Sequence, residues 1–226
     1  MSFYDTILGN HDAYSKRSQH HFFNYFPQNQ HLNLYTPLQH IKVITLNPCL
    51  PNNSIHCQGY YPTTQLDQLQ QLLNDDAVCR NQLIVLATHY PLFINNGNYE
   101  QQFPWSGVRN GSALVDILQQ SQYTPSLILH GHVHIEMKHY VRLLQNQFVF
   151  DDHYNPTLNV PVMNPGSASI FTTEHHQRHT PSYHSHLIET DDNNDIVSYS
   201  IHRYSYPFDD KYTVVMNYPQ SNEDSY

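Results

Sequence analysis

The sequence of 226 residues is long enough to bury a real core, and it fits one large domain or two small ones. Hydrophobic residues make up 39% and charged residues only 13%, yet 18 Tyr and 10 Phe supply enough core anchors to exclude a disordered chain. The formal net charge is −9 with no Lys/Arg-rich run, and the longest apolar runs, such as Leu83 to Ala87, are far too short to span a bilayer, so neither a nucleic-acid duplex nor a membrane is an expected partner.

In chain order, Thr6-Ile7-Leu8 is a short apolar run stopped by Gly9. Lys42 to Leu46 reads as a β-branched strand closed by Asn47-Pro48. Leu66, Leu69 and Leu73 fall on one face of a helix whose start Thr63 or Thr64 can cap. Leu83 to Ala87 is apolar throughout, as a strand covered on both faces would be. Ala113, Leu114, Ile117 and Leu118 mark a second amphipathic helix, and Leu127 to Leu129 a third buried strand. Strands alternating with helices predict an α/β layer architecture. The second half reads differently: Gln147 to Phe150, Tyr183 to Thr190 and Ile196 to Tyr204 are strands with little helix between them, and Asp191 to Asp195 is a hairpin turn. Val197, Tyr199 and Ile201 alternate with polar residues, so that strand should have one wet face. A mostly antiparallel second sheet packed against the first is expected, followed by a frayed polar tail from Pro219.

Cys49, Cys57 and Cys79 follow no CxxC spacing. The odd count, and the lack of a basic-then-apolar leader over Met1 to Asp5, point to reduced, buried, inert thiols in a soluble cytoplasmic protein. The 18 His are many, so position must select the functional ones. His20, His21, His175, His176 and His179 lie in polar stretches and should be exposed.

Three apolar strands run into metal-competent residues. Ile7-Leu8 leads to Gly9-Asn10-His11-Asp12, Leu86-Ala87 to Thr88-His89-Tyr90-Pro91, and Ile128-Leu129 to His130-Gly131-His132-Val133-His134. In an open α/β sheet, ligands collect beyond the C-terminal ends of the strands, so the three clusters should share one edge. His132 and His134, two apart, would point to one side of a strand. Paired imidazoles suit Zn, Mn or Fe, and Asn10 adds a neutral oxygen.

These segments resemble the calcineurin-like metallophosphoesterases. Gly59 with Gln65-Leu66 and Leu69, and Asn164-Pro165-Gly166-Ser167, extend the resemblance over nearly the whole chain, 1–226, as one domain. The pattern is most similar to the cyclic-nucleotide phosphodiesterase branch. The resemblance implies an α/β sandwich of two facing mixed β-sheets flanked by helices, with divalent metal ions (Mn, Fe or Zn) held between them. Asn10, His89 and His132 match ligands of one metal, and His134 a ligand of the other. His11 matches the group that contacts the phosphate and assists the leaving group, and Asp12 its orienting partner. The implied reaction is hydrolysis of a phosphodiester or phosphomonoester by a metal-activated hydroxide, on a small phosphoester such as a cyclic nucleotide.

The family opens with a strand bearing DxH and another bearing GDxxD, which supply the remaining ligands and the carboxylate bridging both metals. This sequence starts directly on the strand before Gly9-Asn10-His11-Asp12, so the expectation is a domain lacking its first strands, with at most one metal and very poor turnover. Three accounts stand: a piece of a longer enzyme, a non-catalytic remnant that binds one metal or a partner chain, and a complex in which another chain supplies the strands. Asn47 replaces a residue that is often acidic in the family, Arg109-Asn110 reads as a solvated loop pair more readily than a phosphate contact, and Tyr60-Tyr61 as packing residues. Trp105 reads equally well as a pocket-mouth residue or an ordinary loop residue.

Overall fold

The computed structural model describes residues 7, 9, 15–25, 32–38, 40–49, 59–92, 108–132, 136–144, 147–151, 160–165, 172–174, 177–179, 182–192, 196–205 and 213–217. The helices are α1 (Lys16–Tyr25), α2 (Thr63–Leu73), α3 (Asp76–Cys79) and α4 (Gly111–Gln120). The strands are β1 (Asn33–Leu38), β2 (Ile41–Leu46), β3 (Leu83–Thr88), β4 (Leu127–Leu129), β5 (Glu136–Leu144), β6 (Gln147–Asp151), β7 (Val160–Pro165), β8 (Thr172–Glu174), β9 (Gln177–His179), β10 (Ser182–Thr190), β11 (Ile196–Ser205) and β12 (Thr213–Asn217). No helix among the described residues is long and apolar enough to cross a membrane.

A seven-stranded sheet runs in the order β1-β2-β3-β4-β7-β5-β6. Its centre is parallel, β2 on β3, β3 on β4 and β4 on β7, and its flanks are antiparallel. Side chains alternate across this sheet, and both faces are apolar, which is why its central strands read as unbroken apolar runs. Ile44, Leu46, Ile84, Leu86, Ile128 and Val162 pack with Leu66, Leu69 and Leu73 of α2 and Leu114 and Leu118 of α4. Ile41, Leu83, Val85, Leu127 and Met163 face the other way, onto Tyr199 and Ile201 of β11. Each fully buried Leu in these layers contributes about 1.5–3 kcal/mol. The mixed α/β sandwich is therefore the observed architecture. The second sheet, β10-β11-β12, is antiparallel throughout, so only the larger one is mixed.

Several local expectations change. Pro62, not Thr63 or Thr64, caps α2, with its carbonyl taking the amides of Gln65 and Leu66 at 2.9 and 3.1 Å. Of the strand expected over Thr6-Ile7-Leu8, Ile7 alone is described, and it takes no regular structure. Helices α1 and α3 and strands β1, β5, β7, β8, β9 and β12 are not among the expected elements. The start of α1 has a reciprocal cap, in which Ser15 Oγ accepts from Ser18 N at 3.0 Å and Ser18 Oγ accepts from Ser15 N at 2.8 Å. The face of β11 opposite Tyr199 and Ile201 is not simply wet, since Ser200 is nearly buried. The Asp191 hairpin joins β10 and β11 as expected, with residues 193–195 outside the described residues. His20 and His21 are exposed, while His175, His176, Cys57, Trp105 and the tail from Pro219 lie outside the described residues. Cys49 and Cys79 are buried. The Cys79 thiol donates to Leu72 O at 3.1 Å, and burial, then the Asp75 carboxylate, pushes its pKa up to about 11, which leaves it protonated and unreactive.

Candidate metal centre

Strands β3 and β4 are parallel neighbours, with Val85 opposite Leu127 and Ala87 opposite Leu129, so both release the chain at one edge of the sheet. His89 follows β3 directly, and His132 comes three residues after β4. The two exits are tied together by Gly131 N, which donates to His89 O at 3.0 Å. A neighbouring strand holds the second exit from the other side. His130 N donates to Met163 O at 3.0 Å, and the fully buried Asn164 reaches Gly131 O through Nδ2 at 3.4 Å.

His132 has φ 65°, in the left-handed region. For a residue with a Cβ that conformation costs roughly 1–2 kcal/mol, and such strain persists only where the surroundings impose it. Here it aims the His132 ring back at His89. The two rings sit edge to face, with centroids 5.1 Å apart and planes at 75°, and His132 Nδ1 lies 3.2 Å from His89 Nε2. Either nitrogen can donate to the other, depending on tautomer.

That spacing decides whether the pair fits a metal. Two imidazole nitrogens each about 2.0–2.1 Å from one ion stand about 2.9 Å apart at a right angle and about 3.4 Å apart at the tetrahedral angle. The observed 3.2 Å falls between these limits. One divalent ion could take both nitrogens with little ring movement, once the protons sit on the outward nitrogens His89 Nδ1 and His132 Nε2. Among the described residues, no group of three or more His, Cys, Asp or Glu side chains gathers as a complete metal set.

The pair is backed by aromatic packing. The Tyr90 ring is buried, 4.5 Å from the His132 ring and 4.9 Å from the His89 ring between centroids. Beneath it, Tyr61 OH and Thr88 Oγ1 share a hydrogen bond of 2.8 Å. Asn110 is occupied by the backbone of Tyr61, accepting from its amide at 2.9 Å and donating to its carbonyl at 2.8 Å. This gives Asn110 a structural role, and Arg109 is exposed, in line with an ordinary loop pair. Asn47 is equally structural. Its Oδ1 takes Cys49 N at 3.1 Å, and its backbone exchanges two 3.1 Å bonds with the Gln65 side chain.

Of the residues singled out from the sequence, His89 and His132 are brought together. Asn10, His11, Asp12 and His134 lie outside the described residues. The spacing argument that paired His132 with His134 on a strand does not hold, because β4 ends at Leu129 and His132 sits in a left-handed turn. Sequence reasoning missed the packing of Tyr90 against both rings and the bond from Asn164 to Gly131. It also missed His186 on β10, whose Nδ1 lies 2.6 Å from the hydroxyl of the buried Tyr199, and burial pushes that phenol's pKa up. Register alone could have flagged the last pair, since His186 and Tyr199 fall on one face of the β10–β11 ladder.

A family model described as calcineurin-like phosphoesterase matches residues 6–136, a span that contains both histidines. No curated protein matches the chain.

Proposed function

The chain belongs to the calcineurin-like phosphoesterase family, whose members hydrolyse phosphoesters with divalent metals, and from that premise we propose that His89 and His132 hold one divalent cation in a site for hydrolysing a small phosphoester. The observation that carries this reading is the 3.2 Å between His132 Nδ1 and His89 Nε2 at the C-terminal edge of two parallel strands. A cation bound there supplies Lewis acidity, lowering the pKa of a water and neutralising phosphoryl oxygens. The chain's own groups do the rest. His89 and His132 each offer a lone pair and stay neutral. Asn10 adds an amide oxygen, and His134 serves a second metal position. His11 delivers a proton to the leaving oxygen, and Asp12 fixes the ring that carries it. The substrate is a phosphodiester or phosphomonoester, with a cyclic nucleotide the first to try. Two neutral imidazoles alone bind a cation weakly, and among the described residues no carboxylate joins them to offset its desolvation. The whole of 1–226 forms this one domain.

The test is hydrolysis of bis-p-nitrophenyl phosphate with added manganese, run beside a metal titration. Weak but measurable metal binding with only trace turnover is the expected result for this polypeptide. Robust turnover abolished by His132→Ala would show that the site is complete as it stands. Metal binding with no turnover on any phosphoester would select the alternative, a non-catalytic remnant that binds one metal or a partner chain.

A further inference from the structure

The Tyr90 ring touches both the histidine pair and the loop at Gly59. It meets His132 with ring centroids 4.5 Å apart and planes at 50°, and His89 at 4.9 Å and 77°. Its Cδ2–Cε2 edge meets Gly59. A Cβ on Gly59 would come within 2.6 Å of Tyr90 Cε2 and 2.7 Å of Tyr90 Cδ2, with Pro48 Cβ at 3.2 Å. The two Tyr90 distances are shorter than real side chains tolerate, and a buried ring has no free end to swing aside. Gly59 cannot retreat either. Tyr60 N beside it donates to Pro48 O at 2.8 Å, Arg109 N donates to Gly59 O at 3.0 Å, and Gly59 forms a parallel bridge with Val108. The φ of Gly59 lies outside the left-handed region, so its conformation does not demand glycine. Space does.

The contacts are contiguous: the bare backbone of Gly59, the Tyr90 ring, then the His132 ring in its left-handed turn. A side chain at Gly59 displaces Tyr90 from its seat, and a smaller, non-aromatic side chain at position 90 removes the ring that His132 packs against. Only a few tenths of an ångström separate a chelating spacing from a poor one. We infer that Tyr90, seated on Gly59, is the positioning residue that sets the His89–His132 spacing for a divalent cation, and that this is why residue 59 is glycine. The inference rests on the metal reading proposed above.

The experiment is zinc titration by calorimetry on the full chain, with NMR of the His89 and His132 ring signals before metal is added. Tyr90→Leu should weaken zinc binding about 10–100-fold, the usual cost of losing a supporting partner, while melting stays cooperative. Its metal-free His132 ring signals should shift as the aromatic neighbour is lost. Tyr90→Phe keeps the ring and should restore both the affinity and the signals. Gly59→Ala should weaken zinc to a similar degree, and the double variant with Tyr90→Leu should be no weaker than Tyr90→Leu alone, because both act through one contact. A folded Tyr90→Leu protein with wild-type zinc affinity overturns the inference. If that variant does not fold, wild-type affinity in Gly59→Ala overturns it instead. Wild-type protein that binds no zinc at all removes the metal reading itself, and this inference with it, whereas normal binding that Tyr90→Leu leaves untouched removes this inference alone.

Discussion

From Leu83 to Thr88 every residue of β3 is buried, and its neighbours in β2 and β4 are nearly so. One residue further on, His89 is half-buried and faces an imidazole held in a left-handed turn. The strand body and the strand end answer to different terms. The body is stable because each side chain does what its local pattern prefers, apolar on both faces in a parallel sheet. The end holds a conformation that its own sequence disfavours, and it can do so because the body beneath it is rigid and because Asn164, Gly131 and Tyr90 over-determine it. Stability and binding capacity should therefore be separable by mutation, and that separation can be broken or sharpened.

The largest effect should come from the body. Leu86→Ala removes a fully buried side chain and should cost roughly 2–5 kcal/mol in urea unfolding, with metal binding lost only as the fold is lost. A metal defect in protein that remains fully folded would break the distinction. The strand end should behave in the opposite way. His132→Ala and His132→Gly both remove the imidazole and should both lose metal binding. The glycine variant should nevertheless be the more stable of the two by about 1 kcal/mol, because it relieves the positive φ. Equal stability in denaturant melts would mean that the turn stores no strain.

The third effect, confined to alkaline pH, concerns the helix-covered side, where burial acts on a titratable group. Cys79 is an acid whose pKa rises from its usual 9.0 to about 11 on folding. Its contribution is whole below about pH 9 and is lost as pH climbs through 11, with a slope of at most about 1.4 kcal/mol per pH unit. Cys79→Ala should flatten the alkaline fall in stability, and identical wild-type and variant curves between pH 8 and pH 11 would contradict the burial argument.

What could be read in advance follows the same division. Strands β2, β3 and β4 and helices α2 and α4 were legible because apolar runs and 3.6-residue spacing are local properties. Strand β7 was not. Pro161 and Pro165 in Val160–Pro165 read as breakers, and only the long-range pairing of Ile128 with Val162 and of Val141 with Val160 places the segment inside the sheet. His89 and His132 were legible as strand-end histidines. Their 3.2 Å approach was not, since it depends on a backbone torsion at His132 and on a ring seated against a glycine far away in sequence.

The most direct measurement of the central claim is anomalous diffraction from crystals of the full chain grown with zinc or manganese. An ion about 2.0–2.1 Å from both His89 Nε2 and His132 Nδ1, with those nitrogens still near 3.2 Å apart, is the predicted result for zinc. An ion bound elsewhere, with the two imidazoles still hydrogen-bonded to each other, would contradict it.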